Sequence, residues 1–172
     1  PGGSVSANPV TVTVTATPPP TDNEEPVVDI DFPDIDVPTG VESPTVLVND
    51  KPSVTFRPLA SDNVGVASFT VTVNDSPVAL TNGEFTFGSQ ANGNGDYKIR
   101  ATAVDVNGNE STFEITIKLR HPDINRDGRV NSTDFNGLFR NWGTSSTNYD
   151  LSGDGVVNSR DFNILFRNWG TQ

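Results

Sequence analysis

Apolar residues alternate with polar ones through much of the chain between about residues 41 and 120. VASFTVTVN and STFEITIKL each put every second side chain on an apolar face, and EFTF and YKIRATAV continue the pattern. A period of two predicts half-buried β-strands. The turn-forming stretches NDSP, TNGE, ANGNGD and DVNGNE fall between them, so short antiparallel strands joined by tight turns are expected. Several such strands in about 80 residues predict a small β-sandwich. VVDIDFPDIDVP also alternates, with Asp29, Asp31, Asp34 and Asp36 on its polar face. Pro33 removes a backbone donor, which confines that segment to a sheet edge or breaks it. Further upstream, NPVTVTVTAT reads as an isolated strand, followed by the stiff spacer PPPTDNEEP.

The pattern changes after residue 120. DINRDGRVNSTDFNGLFRNWGT begins at Asp123, and DLSGDGVVNSRDFNILFRNWGT begins at Asp150, 27 residues later. Sixteen of the 22 aligned positions are identical, so the segment is a duplicated structural unit. In each copy an Asp/Asn/Gly-rich loop leads through Asn-Ser, a good helix start, into Asp134–Trp142 or Asp161–Trp169. Gly143 and Gly170 supply the stop. Phe135, Leu138, Phe139 and Trp142 lie at helical spacing and are expected to form a core with their twins. The chain is thus expected to be mainly β with a small α module. The boundaries fall at 1–25 for the strand and linker, 26–120 for the sandwich and 121–172 for the duplicated module.

The loops carry the chemistry. A hard cation such as calcium takes six to eight oxygen ligands around a tight turn. Offsets 1, 3, 5, 7, 9 and 12 of the first loop are Asp123, Asn125, Asp127, Arg129, Asn131 and Asp134. In the second they are Asp150, Ser152, Asp154, Val156, Asn158 and Asp161. Position 7 ligates through its carbonyl, so its side chain is immaterial, and position 9 often acts through water. Gly128 and Gly155 stand at position 6, where the chain must turn with positive φ. The position-8 residues, Val130 and Val157, are expected to bridge to each other in a short β-pair. A single loop also reads as an ordinary surface turn, but two in tandem favour calcium, and magnesium prefers fewer protein ligands.

Residues Pro122 to Thr171 resemble a type I dockerin, the calcium-dependent module of cellulosomal and related extracellular proteins. Each unit has only an exit helix and ends its loop with Asp. The resemblance implies a cohesin partner, contacted through loop positions 10 and 11 and a basic helix residue. These are Ser132, Thr133 and Arg140 in one copy and Ser159, Arg160 and Arg167 in the other. A solvated helix face is the other reading of the two helix arginines. The Phe-Arg-Asn-Trp-Gly ending departs from the family's commoner aliphatic helix. The preceding segment resembles bacterial immunoglobulin-like domains of secreted and surface proteins, with the A-x-D-x-x-G-N turn as Ala103–Asn109. In such a sandwich Asp62 and Asp105 meet at one pole, which makes Asp62, Asp105 and Asn107 a candidate third calcium set. A hydrogen-bonded turn is the alternative.

Composition narrows the function. A net charge of −11 opposes nucleic-acid binding, which needs a basic face. The chain has no cysteine, so metal is the available staple for small modules. With 33% hydrophobic residues, 13 Pro and 15 Gly in 172 residues, modules on a thread are expected. The chain begins at Pro1 and contains no Met, which reads as a processed or excised form. Extracellular or cell-surface placement follows from content. Asn74 and Asn109 head sequons on turns and are candidate glycan acceptors. Asn131 heads a third within a calcium loop, and Thr11–Thr21 suits O-glycans. The one histidine, His121, has no nucleophile beside it in a catalytic pattern, so no enzyme is expected. A lone strand leaves its backbone groups unpaired. The Pro9–Thr17 strand is therefore expected to fold back onto its own sandwich, to be donated head-to-tail to a neighbouring subunit and build a filament, or to be the remnant of a preceding domain. The leading expectation is a filament or surface-layer subunit, and the alternative is a dockerin docking on a cohesin scaffold with the sandwich as spacer.

Overall fold

A computed structural model describes residues 22–88 and 93–171; the alternating segment Pro9–Thr17 lies outside them. Eight strands precede two helices: β1 (Val27–Asp31), β2 (Thr45–Val48), β3 (Ser53–Ser61), β4 (Val66–Val73), β5 (Ser76–Pro77), β6 (Phe85–Gly88), β7 (Gly95–Asp105), β8 (Glu110–Leu119), α1 (Ser132–Arg140) and α2 (Ser159–Arg167). The strands form a three-stranded sheet, β1-β3-β6, and a five-stranded sheet, β2-β8-β7-β4-β5. All pairings are antiparallel except β2 with β8.

The alternation in the sequence is realised most fully in β7, where Tyr97, Ile99, Ala101, Ala103 and Asp105 all point inward. Tyr97, Ile99 and Ala101 join Ile115, Ile117 and Leu119 of β8 and Val54, Phe56 and Phe87 from the facing sheet in one core. Phe56 packs near Phe32, Phe85 and Phe87 at ring separations of 6.0, 5.6 and 6.3 Å. β1 is an edge strand that ends before Pro33, with Ile30 inward and Asp29 and Asp31 on the other side. On the solvent face Arg57 reaches Asp31 at 3.7 Å and Glu84 at 2.6 Å.

The duplicated module has its own core of Ile124, Val130, Leu138, Leu151, Val157 and Leu165. Phe135 and Phe162 meet edge-to-face at 5.9 Å. Two sequence expectations need correction here. Phe139, Trp142 and their twins Phe166 and Trp169 are exposed. A nine-residue helix facing one partner covers a single stripe, and Leu138 and Leu165 occupy it. The second correction concerns Val130 and Val157, which do not bridge to each other. The Val130 N–H donates to Thr171 O (3.1 Å), and its carbonyl accepts from Gly170 N (2.9 Å). Val157 pairs in the same way with Thr144 and Gly143, at 2.8 Å each. Each loop is thus clamped to the segment leaving the other copy's helix. The copies also differ in a compensating way: Gly137, where the twin has Ile164, leaves room for the Tyr149 ring. A Cβ at Gly137 would come within 2.9 Å of that ring.

The junction between sandwich and module is a built contact. Arg120 is buried and donates to the carbonyls of Gly95 and Leu119 and to Asp96. The Asn94 side chain donates to His121 O (2.8 Å) and Asn148 O (3.1 Å) and accepts from His121 N (2.7 Å). Burial holds the His121 imidazole below its ordinary pKa, against the opposing pull of Asp123 and Asp134. Among the described residues no helix is long and apolar enough to cross a membrane.

Leu165→Ala is expected to destabilise the module by roughly 2–5 kcal/mol, as for a buried large-to-small change. Phe166→Ala should stay within about 0.5 kcal/mol, as for an exposed site. Urea unfolding followed by Trp fluorescence separates the two. Asn94→Ala strips three junction hydrogen bonds and should cost roughly 1–3 kcal/mol. Calorimetry should then show the module melting earlier, with the sandwich transition little changed.

Candidate metal centres

The loops fold inward around their acids. Asp123 and Asp134 are 2% and 1% exposed, and Asp150 and Asp161 are 4% and 0%. The position-1 carboxylate is held by the turn it closes. Asp123 accepts from Asp127 N (3.2 Å) and Gly128 N (2.9 Å), and Asp150 accepts from Asp154 N (3.1 Å) and Gly155 N (2.9 Å). The position-12 carboxylate spans the loop. Asp134 accepts from Ile124 N, Asn125 N and Asn131 N at 2.8, 3.0 and 2.9 Å. Asp161 accepts from Ser152 N and Asn158 N at 2.7 Å each. Positive φ at position 6, +85° for Gly128 and +95° for Gly155, lets the backbone turn its N–H groups onto the first aspartate.

Position 9 has two duties. Asn131 Oδ1 caps α1 by accepting from Thr133 N (2.7 Å), and Asn158 Oδ1 caps α2 through Arg160 N (2.8 Å). The amide nitrogens therefore face the loop. Asn158 Nδ2 donates to both carboxylate oxygens of Asp154 (3.3 and 3.1 Å) and to Val156 O (2.9 Å). Asn131 Nδ2 does the same toward Asp127 Oδ2 and Arg129 O, at 3.3 Å each. In both copies the oxygens of positions 5 and 7 thus converge on one electropositive group. At position 3, Asn125 donates to Asp127 (2.9 Å), and Ser152 donates to Asp150 (3.3 Å).

Two of the loop acids, Asp127 and Asp154, are held in their ionised form. The Asn125 amide, with help from Asn131 and the Arg129 N–H, holds the Asp127 carboxyl below the usual carboxylate range. The Asn158 amide, the Val156 N–H and Arg160 do the same for Asp154. Backbone N–H groups solvate a buried carboxylate without neutralising it, and a buried charge of this kind calls for a counter-charge or a metal. An all-oxygen set of carboxylates, amides and a carbonyl suits a hard divalent cation. The residues present therefore fit calcium.

The six docking positions, Ser132, Thr133, Arg140, Ser159, Arg160 and Arg167, are all exposed. Arg160 pairs with Asp154 at 3.1 Å. Beside them stand aromatic rings that the sequence reading had assigned to the core. Phe135 and Phe139 stack at 5.9 Å, Phe162 and Phe166 at 5.7 Å, and Phe139 and Phe166 are 63% and 62% exposed. Their identity in both copies was the available signal.

At the far pole of the sandwich Asp62 and Asp105 come together with Asp22, which the sequence reading did not single out. Asn107 enters through its backbone N–H, which donates to Asp105 Oδ1 at 2.8 Å. Asn109, which heads a sequon, turns its side chain inward. Its Nδ2 donates inward to Asp105, Asp22 O and Glu24 O, contacts that a glycan on that nitrogen would displace. Asn74 lies on the turn after β4 and accepts from Lys98 N at 2.8 Å.

No curated protein matches the chain. Among solved structures, the PKD1 domain of Vibrio anguillarum Epp is similar at 17% identity and a TM-score of 0.40, over 59% of this chain and 100% of that one. The PKD1 domain of the Vibrio cholerae metalloprotease PrtV is similar at 21% identity and a TM-score of 0.35, over 56% and 98%. The fibronectin(III)-like modules of Clostridium thermocellum CbhA stand at 15% and 0.34, over 54% and 98%. The family model of the type I dockerin domain matches residues 121–168, so the duplicated loop–helix module is similar to a type I dockerin domain.

Proposed function

We propose that this chain is a non-enzymatic subunit of an extracellular assembly, and that its dockerin module, folded around two calcium ions, docks onto a cohesin-type partner. The observation that carries this reading is the duplicated loop–helix unit with its four buried carboxylates, within a segment matched by the dockerin family model. One ion is assigned to Asp123, Asn125, Asp127, the Arg129 carbonyl and Asp134, with Asn131 acting through water. The other is assigned to Asp150, Ser152, Asp154, the Val156 carbonyl and Asp161, with Asn158 in the same role. Bound calcium supplies the positive charge that these acids lack. Residues 121–172 carry six Asp and five Arg, so two dications turn a net charge of −1 into +3. The loaded module then presents arginines beside exposed Phe and Trp rings, which suits an acidic partner face with an apolar centre.

A second reading, filament growth by donation of the Pro9–Thr17 strand, is favoured by one structural feature. β5 covers only Thr72 and Val73 of β4, and Val78 N adds one bond to Val71 O, so the outer edge of β4 before Val71 is open to an added strand among the described residues.

A small module of this kind draws folding energy from its metal. Chelation is therefore expected to abolish the helical circular dichroism of residues 122–171 and leave the β signal; a spectrum unchanged by chelator contradicts the assignment. Asp127→Ala or Asp154→Ala should each remove one ion and weaken the twin site through the shared core. Capture on immobilised cohesins in calcium but not in chelator, lost in Arg140→Ala/Arg167→Ala, supports docking. Regular fibres in electron micrographs, lost on deletion of residues 9–17, support strand donation. A monomer with neither property contradicts both.

A further inference from the structure

β7 runs from Gly95, beside the dockerin module, to Asp105 at the opposite pole of the sandwich. Three acids from separate parts of the chain converge there: Asp22 ahead of β1, Asp62 just after β3, and Asp105 at the end of β7. One carboxylate oxygen from each lies within 4.8 Å of the others. Among the described residues no Lys or Arg forms an ion pair with any of the three.

Each carboxylate is oriented through its Oδ1. Asp62 Oδ1 accepts from Val64 N (2.9 Å) and Gly65 N (2.8 Å). Asp105 Oδ1 accepts from Asn107 N and Asn109 N, at 2.8 Å each. Asp22 Oδ1 accepts from Glu24 N (3.1 Å). The second oxygen of Asp22 is fully buried and accepts no hydrogen bond, and Asp105 is only 2% exposed. A buried carboxylate oxygen without a donor is rare in a folded protein and marks a missing partner. Like charges this close repel unless something positive stands among them. Asn109 Nδ2 touches Asp105 Oδ2 (2.7 Å), Asp22 O (3.2 Å) and Glu24 O (3.1 Å). It sits among oxygens as Asn158 Nδ2 does in the second dockerin loop.

We propose that Asp22, Asp62 and Asp105 hold a third divalent cation, calcium by the hardness of the oxygen donors, and that this ion pins the segment entering β1 to the pole of the sandwich. Carboxylates from three separate stretches make the ion a staple in a domain that has no disulfide. Asp105 is available to it in charged form. Burial would raise the Asp105 pKa, but the Asn109 side chain and the N–H groups of Asn109, Asn107 and Gly108 outweigh it and hold the group low.

The test counts calcium bound per full-length chain by equilibrium dialysis, and melts the sandwich by calorimetry in calcium and in chelator. Wild type is expected to bind three ions, Asp62→Asn two, and the loop variant Asp127→Ala/Asp154→Ala one. In calcium the Asp62→Asn sandwich should melt below wild type. In chelator it should melt at least as high, because one of three repelling charges is gone while the Asn oxygen still caps Val64 and Gly65. Asp22→Asn, which lies outside the strands, should repeat both results. A wild-type count that Asp62→Asn and Asp22→Asn leave unchanged overturns the proposal. So does a variant that melts lower by the same margin in calcium and in chelator, since that is the mark of a purely structural cap. One ion lost in Asp62→Asn but kept in the loop variant, with none at the loops, would leave the pole site standing and remove the loop assignment.

Discussion

Four buried aspartates, Asp123, Asp134, Asp150 and Asp161, set the constraint on the duplicated module. Its core is six aliphatic side chains with a rim of aromatics, too small to hold carboxylates out of water without a counter-charge. The loop geometry answers the local part of that problem. The backbone N–H groups of positions 5 and 6 point at the first aspartate, and those of positions 2, 3 and 9 serve the last in the first loop. The net charge remains, and a divalent cation within the converging oxygens would neutralise it. Two of the four, Asp134 and Asp161, also close the capping boxes that start the helices, so candidate metal site and helix nucleus share one side chain in each copy.

Coupling between the copies follows from the crossed clamps. Val130 is held by Gly170 and Thr171, and Val157 by Gly143 and Thr144. Each loop therefore depends on the exit of the other helix, and order in one site requires order in both. The coupling continues toward the sandwich. Asp123 N lies 3.3 Å from His121 Nδ1, and the His121 backbone is gripped by Asn94 at the start of β7. The module is thus seated on the sandwich through short contacts that begin two residues from Asp123 and Asp150.

Much of this was legible in the sequence because it rests on local rules. The period-two pattern located the long strands β4, β7 and β8, since inward positions on a two-sheet sandwich alternate along a strand; in β4 a register shift between Val66 and Ser68 interrupts it. Loop offsets and the position-6 glycines located the candidate ligands, because oxygen geometry around a hard cation fixes spacing. Tertiary partners were less legible. Helical spacing assigned Phe139 and Trp142 to the core, but which part of an apolar stripe is covered depends on the facing helix, and Leu138 and Leu165 fill the contact. The valine pairing was placed between twins because they are alike, whereas the hydrogen bonds run to the helix exits. Asp22 was read as part of a linker, because nothing local in TDNEEP says that it folds back 40 residues ahead onto Asp62. Position 4 is left-handed in both loops, in Arg126 at φ +62° and Gly153 at +70°. The glycine suggested it in one copy, and the arginine concealed it in the other.

The central claim is that metal, through the buried acids, holds the module folded. Amide hydrogen exchange at Val130 and Val157 reads this directly, because those N–H groups form the crossed clamps. The account predicts strong protection in calcium and exchange near the unfolded rate in chelator, with Ile99 and Ile115 of the sandwich protected in both. Equal protection of the two valines with and without calcium would contradict it.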